Sequence, residues 1–316
     1  MSHGSTAPPR RRTAPRNSST SPVRGEPSRH GPIAQLLIAW SPLSVILVAY
    51  WVARWVSAPL GTGEGADTNR LGFGLHIAGP ARADEEVFGA IPSVWLQERL
   101  VDGSPHWYDG AAALVYVTHF ISIPLVTGLV WFCLRDRFKE WVAAVLTLSL
   151  VGTVGYVLYP AAPPWLASDR DEIGTIARIS SLGWDYWHLG SVGRLTDLGQ
   201  AGSNPVAAMP SLHAGAALLV ALFFWPSVDV LRRVALLAYA VAMAVTLVYT
   251  GEHYVVDVAA GWGVAGCAVV VGTVVRLPGR RRRPSAAAGP ANTSAVVSKS
   301  PAAVRRTYEK QRSANQ

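Results

Sequence analysis

The sequence predicts an all-α, polytopic membrane protein with six transmembrane helices, and three observations carry that prediction. Half of the 316 residues are AVILMFWYC and only 15% are charged, against about a quarter for soluble globular chains. Six apolar runs, at 33–53, 111–133, 141–160, 206–225, 234–250 and 254–275, approach the ~20 residues a helix needs to cross a bilayer. These runs also lack the polar face that a core helix of a soluble protein shows at helical period.

The net charge of +8 belongs to the two ends of the chain. Residues 1–30 hold six Arg against one acid and residues 276–316 hold ten Lys/Arg against one acid, which leaves the middle net acidic by six. Both ends are rich in Arg, Pro, Ser, Thr or Ala and poor in large apolar residues. Residues 1–31 and 278–316 are therefore expected to be disordered tails around a membrane domain at 32–277. The long polar stretch before the first run is not the pattern of a cleavable signal peptide. Nucleic acid is excluded as a partner, because the basic residues do not sit among aromatics that would stack bases. A disulfide scaffold is excluded as well, since Cys133 and Cys267 lie singly in apolar runs. Arg280–Arg283 directly follows a span and suits a stop-transfer signal against anionic headgroups.

Each run takes its direction from its flanks. The first emerges from the basic N-terminal tail. The second and third are joined by Leu134–Glu140, which carries Arg135, Arg137 and Lys139, and the fourth and fifth by Pro226–Arg233, which carries Arg232 and Arg233. The sixth runs into the basic C-terminal tail. The loops 55–110 and 161–205 hold three basic residues each and more acids. Basic flanks stay cytoplasmic, so both termini are expected inside. The two long loops and the Tyr249–His253 turn are expected outside. In the first of these loops Phe88, Ile91, Val94, Trp95 and Leu96 form an apolar face, suited either to lie on the membrane or to pack on 161–205 as a lid.

Polar residues at the mouths of two spans point to chemistry. Gly202–Gly215 opens the fourth run and contains Ser211 and His213; Tyr249–Asp257 opens the sixth and contains His253. Ionisable groups in spans are functional candidates by default. His253 and Asp257 are four apart and share one helix face, so the carboxylate can take one imidazole hydrogen bond and leave the other nitrogen as base or nucleophile. His213, at matched depth, suits proton donation to a leaving group. Helix N-termini carrying both histidines would favour an anion between them. His213, His253 and Asp257 could also form a metal set, although nothing nearby in sequence completes one, and no metal or other cofactor is expected.

Pro210-Ser211-Leu212-His213 together with Gly251-Glu252-His253-Tyr254-Val255-Val256-Asp257 resembles the type-2 phosphatidic acid phosphatase superfamily. Within it, the chain is most similar to the branch of inositol phosphorylceramide and sphingomyelin synthases. Tyr159–Trp165 is similar to that branch's first motif, and Ile176-Ala177-Arg178-Ile179 to a Leu-Ala-Arg-Ile stretch that follows it. The resemblance spans about residues 111–275. It implies a metal-free phosphohistidine mechanism in which His253 attacks a phosphate ester, Asp257 orients it, and His213 protonates the leaving alkoxide and then activates water or an acceptor alcohol. It implies as substrate a phospholipid, or a polyprenyl or inositol lipid phosphate; the distribution of basic flanks is what places the site at the extracytoplasmic face of the cell membrane. The phosphatases of the superfamily also carry basic residues in their first motif and before the third-motif histidine. Here the first motif has none, and Thr246 and Leu247 take the later positions. Arg178 is the leading substitute for gripping phosphate, with Ser211 beside it and Arg170 and Arg194 behind, although Arg178 could equally pair with a nearby acid. His119, two turns into the second run, could reach the site or serve a structural role. Hydrolysis and headgroup transfer both remain open. A transporter or inert scaffold with the same fold is the rival; transporters show internal repeats, which are not found here.

Overall fold

A computed structural model describes Met1 and residues 31–61 and 66–276. The expected tail disorder and the Arg280–Arg283 patch fall on residues outside that set. Among the described residues there are helices and isolated bridges but no strand.

The first apolar run forms α1 (Pro32–Trp40) and α2 (Leu43–Gly61). Pro42 interrupts it, because a proline lacks the amide proton and clashes with the preceding turn. Ser41 and Ser44 hydroxyls donate to the carbonyls of Ile38 and Ser41 at the break. The expected helical loop 55–110 contains α3 (Ala78–Phe88) and α4 (Pro92–Leu100), separated at Gly89, whose φ of 74° ends α3 in the left-handed region. α5 (Trp107–Cys133) and α6 (Phe138–Leu158) are the second and third runs. Loop 161–205 holds α7 (Pro164–Asp169), α8 (Gly183–Tyr186) and α9 (Gly190–Ala201). The last three runs give α10 (Leu212–Phe224), α11 (Val230–Tyr249) and α12 (Val255–Arg276).

Five helical stretches are long and apolar enough to cross a membrane: Pro32–Leu60, Trp107–Cys133, Arg135–Leu158, Val230–Tyr249 and Val255–Arg276. The chain is a multi-pass membrane protein. The fourth run differs from expectation. Its helix begins only at Leu212 and α10 has 13 residues, about 20 Å of rise, short of a hydrocarbon core of ~30 Å. The missing length is irregular chain of turns and bends, where Pro205 and Pro210 suppress helix and Ala207 bridges to Ala161.

α10 sits centrally against α6, α11 and α12. A side chain at Gly261 would collide with the Ser211 backbone, so the start of α10 lies directly on α12. Two apolar clusters fill the bundle. Val130, Trp141, Leu148, Leu219 and Phe223 occupy the half near the α5–α6 turn. Tyr116, Ala214, Ala217, Met243, Leu247 and Val258 occupy the half beneath the long loops. Beside the α5–α6 turn, Arg137 forks onto Glu140 at 2.9 and 2.7 Å and donates to Phe223 O and Ser227 Oγ. The opposite end, where α10 and α12 begin, is covered by the two long loops.

Candidate active site

The segments quoted from the sequence meet through their backbones. Ala161 N donates to Val206 O at 3.0 Å, Ala208 N to Ala161 O at 3.3 Å, and Ser211 N to Asp257 O at 2.9 Å. Tyr159–Trp165, Gly202–Gly215 and Tyr249–Asp257 thus form one assembly. The turn at Tyr249–His253 is held in turn by loop 161–205: Trp165 N reaches Gly251 O and Ile179 N reaches Thr250 O, both at 3.2 Å. Gln97 of α4 joins the same turn, donating to Tyr249 O and Ala177 O while accepting from Ala177 N. The apolar loop segment therefore packs on 161–205, one of its two expected arrangements, while Phe88 and Trp95 stay exposed. Gly251 has φ 75°, and a Cβ there would press on Ile176 and the Ala177 carbonyl, so this turn tolerates only glycine without strain.

His213 stands one residue into α10, after the Ser211 N-cap, whose hydroxyl accepts from Ala214 N at 3.3 Å. His253 lies two residues before Val255, the first residue of α12. The two imidazole centroids are 5.9 Å apart, room for a phosphoryl group between them when reacting atoms approach to ~3–3.5 Å. Asp257 is fully buried, with Oδ2 3.6 Å from His253 Nδ1. That is an ion-pair distance rather than a hydrogen bond, and such contacts commonly tighten when substrate binds. His253 Nδ1, His213 Nε2 and Asp257 Oδ1 are buried without hydrogen-bond partners; the His253 nitrogen among them is the one that faces Asp257. His119 joins them: its ring lies 3.8 Å from that of His213, and its Nδ1 is likewise unpartnered. Tyr116 stacks on the other contact of His213 at 5.4 Å.

The remaining expected residues separate. Arg178 reaches the cluster, but its fork is engaged by Glu252, with Nε and Nη2 at 2.9 and 2.8 Å from the two carboxylate oxygens. Burial opposes the guanidinium charge, and the hydrogen bonds and charge of Glu252 outweigh it, holding Arg178 above its ordinary range. Glu252 also accepts from Ser180 Oγ and Gln200 Nε2. Ser211 is buried and works as cap and bridge to α12. Arg170 donates to Leu60 O at the end of α2, and Arg194 is exposed on α9; neither is drawn to the histidines by any contact in the structure.

The N-terminus of α12 is already filled. Asp84 of α3 accepts from Val255 N and Val256 N at 2.8 and 2.9 Å, and Asp257 Oδ2 accepts from Tyr254 N at 2.9 Å. The expectation that this terminus turns free amides toward an anion is corrected, because two carboxylates occupy it. Burial raises the Asp84 pKa, the two amide bonds oppose the rise, and the Asp257 charge adds to it. Asp84, Gln97, Tyr116, Ser180 and Gln200 carried no sequence signal; Asp84 sits in an acidic stretch of α3 that reads as solvated surface. Among the described residues no group of three or more His, Cys, Asp or Glu is spaced to hold a metal ion.

Comparison with known proteins bears on this arrangement. A family model described as PAP2 superfamily matches residues 82–271, which spans α3 to α12. A protein of Bacteroides thetaiotaomicron named phosphoinositol dihydroceramide synthase is 28% identical over 198 residues, covering 59% of this chain and 64% of the relative. No solved structure matches.

Proposed function

The chain belongs to the PAP2 superfamily, and from that premise we propose that it is an integral membrane lipid phosphatase or phosphotransferase acting at the outer face through a phosphohistidine. The observation that carries this is the pairing of His213 and His253 across 5.9 Å, with Asp257 behind His253. In the first step a His253 ring nitrogen forms a bond to phosphorus as the bond to the lipid oxygen breaks, and His213 gives that oxygen its proton. In the second, His213 takes the proton of water or an alcohol, whose oxygen bonds to phosphorus while the bond to His253 breaks. Asp257 stabilises the positive charge that develops on the His253 ring.

Charge supports transfer from a phosphodiester lipid over hydrolysis of a monoester. A phosphate monoester carries about −1.5 to −2 at neutral pH, whereas a diester carries one charge. Arg178 is the cation that reaches the histidines, and Glu252 already offsets it, with Asp257 and Asp84 adjacent. This agrees with the named activity of the Bacteroides relative, and a phosphoinositol lipid as donor with a ceramide-type alcohol as acceptor is the corresponding reading here. Six crossings, with α10 and its irregular lead-in as the fourth, both termini cytoplasmic and the site outside, complete the proposal.

The test is purified protein supplied with phosphatidylinositol plus a fluorescent ceramide, and separately with phosphatidic acid. Headgroup transfer exceeding phosphate release is expected, with the labelled phosphoinositol group of the donor trapped on the protein at acid-labile nitrogen. Faster release from phosphatidic acid would make it a monoester phosphatase. No turnover of either substrate would remove the enzymatic reading and favour a scaffold or transporter.

A further inference from the structure

A helix exposes its first amide protons, and α12 lacks a local side chain to satisfy them. Tyr254, at the N-cap position, has no acceptor that can reach inward as Ser or Asp would. Asp257 supplies half of a capping box by reaching back to Tyr254 N. The next two amides, Val255 and Val256, are satisfied by Asp84, 171 and 172 residues away in sequence and 1% exposed. A cap brought from another helix and buried this completely fixes more than the helix end. His253 is two residues from Val255, and Asp257 is in the first turn.

We propose that Asp84 is a positioning residue for the reaction: by occupying the Val255 and Val256 amides it leaves Asp257 free to face His253 and closes the α12 terminus to phosphate. The proposal rests on the phosphotransfer reading above. Without Asp84, two buried amides would lack acceptors, and Asp257 is the nearest carboxylate able to turn toward them. Each such bond Asp257 makes competes with its approach to His253, which at 3.6 Å is already loose. The uncovered terminus would also attract an anion through its amides and dipole. A phosphate held there would be bound beside the nucleophile instead of between the two histidines.

The experiment compares Asp84→Ala, Asp84→Asn and Glu85→Gln in the full-length protein. Glu85 is an exposed acid on the same helix and controls for loss of one charge. Asp84→Asn keeps the shape and one acceptor oxygen, so it serves where the alanine variant fails to fold. Turnover of the lipid donor is measured with inhibition by inorganic phosphate, and phosphate binding is measured separately by thermal shift. For both Asp84 variants kcat should fall about 10- to 100-fold with KM little changed, by analogy with the range for outer partners that orient a metal-bound histidine. Inorganic phosphate should bind about 2- to 5-fold tighter, as expected for a newly exposed helix terminus. Glu85→Gln should match wild type. Unchanged kcat in Asp84→Asn would overturn the proposal. A lower kcat without tighter phosphate binding would also overturn it, reducing Asp84 to fold support. Absence of turnover in wild type would sink the functional reading alone, because the phosphate-binding arm needs no turnover and would still decide whether Asp84 closes the terminus.

Discussion

His253 has an unbonded ring nitrogen facing a carboxylate that is fully buried, and burial of an acid so close to an imidazole is costly unless the pair works together. His253→Ala should abolish turnover, while Asp257→Asn should leave a residue of it through a misoriented ring. His213→Ala removes the acid of the first step and the base of the second, so it should lower turnover strongly and accumulate the phosphorylated protein where the second step is slowed more than the first. Rapid-quench measurement of labelled phosphoprotein checks all three, and full activity in either histidine variant would end the mechanism. Arg178 raises a separate question, since its fork is filled by Glu252, 23% and 8% exposed respectively. Removing one partner of a buried pair leaves the other charge uncompensated, at about 3–5 kcal/mol, and the partial exposure of Arg178 places this case at the low end. Arg178→Ala should lower thermal stability accordingly. The double variant Arg178→Met with Glu252→Gln, uncharged on both sides, should regain most of it. If Arg178 also grips phosphate during transfer, turnover of the double variant should stay ~10²-fold down, comparable with loss of one transition-state donor. Recovery of turnover with stability would make the pair purely structural.

At the scale of the helix, the approach of α12 to the start of α10 brings the two histidine rings to within 5.9 Å. Gly261 makes that approach, because its missing side chain would meet Ser211 backbone, whereas Gly263 two residues on faces open space. Gly261→Val should cost about 1–3 kcal/mol as overpacking and should lower turnover more than stability, since it moves His213 away from His253. Gly263→Ala should be nearly silent in both. Thermal unfolding and turnover of the two variants give the comparison, and equal behaviour would show that the contact does not set the site. The same logic explains why loop 161–205 carries few long helices. Part of its backbone holds the Tyr249–His253 turn, directly through Trp165 and Ile179 and, by way of the Gln97 side chain, through Ala177.

For the molecule as a whole, the proposed topology has the Leu134–Glu140 turn inside and loop 161–205 outside, as the basic flanks predict. Arg137 within that turn is buried against Glu140, so a cysteine there would report burial instead of sidedness. Asp136 and Ser191 are exposed and make the better pair. In a chain whose Cys133 and Cys267 are replaced by serine, Ser191→Cys should be labelled by an impermeant maleimide on intact cells, and Asp136→Cys only after lysis. The reverse pattern would move the active site to the cytoplasm.

Composition and apolar run length were enough to specify a helical membrane protein, because the bilayer requires spanning segments to satisfy their own backbones and hydropathy records this directly. That His213, His253 and Asp257 are candidates was legible for a related reason: polar residues at span mouths are expensive, and a four-residue spacing fixes a shared face before any packing is known; the structure brings the three together. Arg178 was legible as a cation near the site but not as the partner of Glu252, since a pair 74 residues apart in sequence leaves no periodic trace. The break at Pro42 and the short α10 followed from prolines that hydropathy averages over. Only the tertiary structure decided that Asp84 caps α12, that Gln97 and loop 161–205 clamp the Tyr249–His253 turn, and that the His119 ring lies tilted against that of His213. Those contacts depend on which helices become neighbours, and that choice is made by close approaches such as Gly261 on Ser211, which no local pattern in the chain encodes.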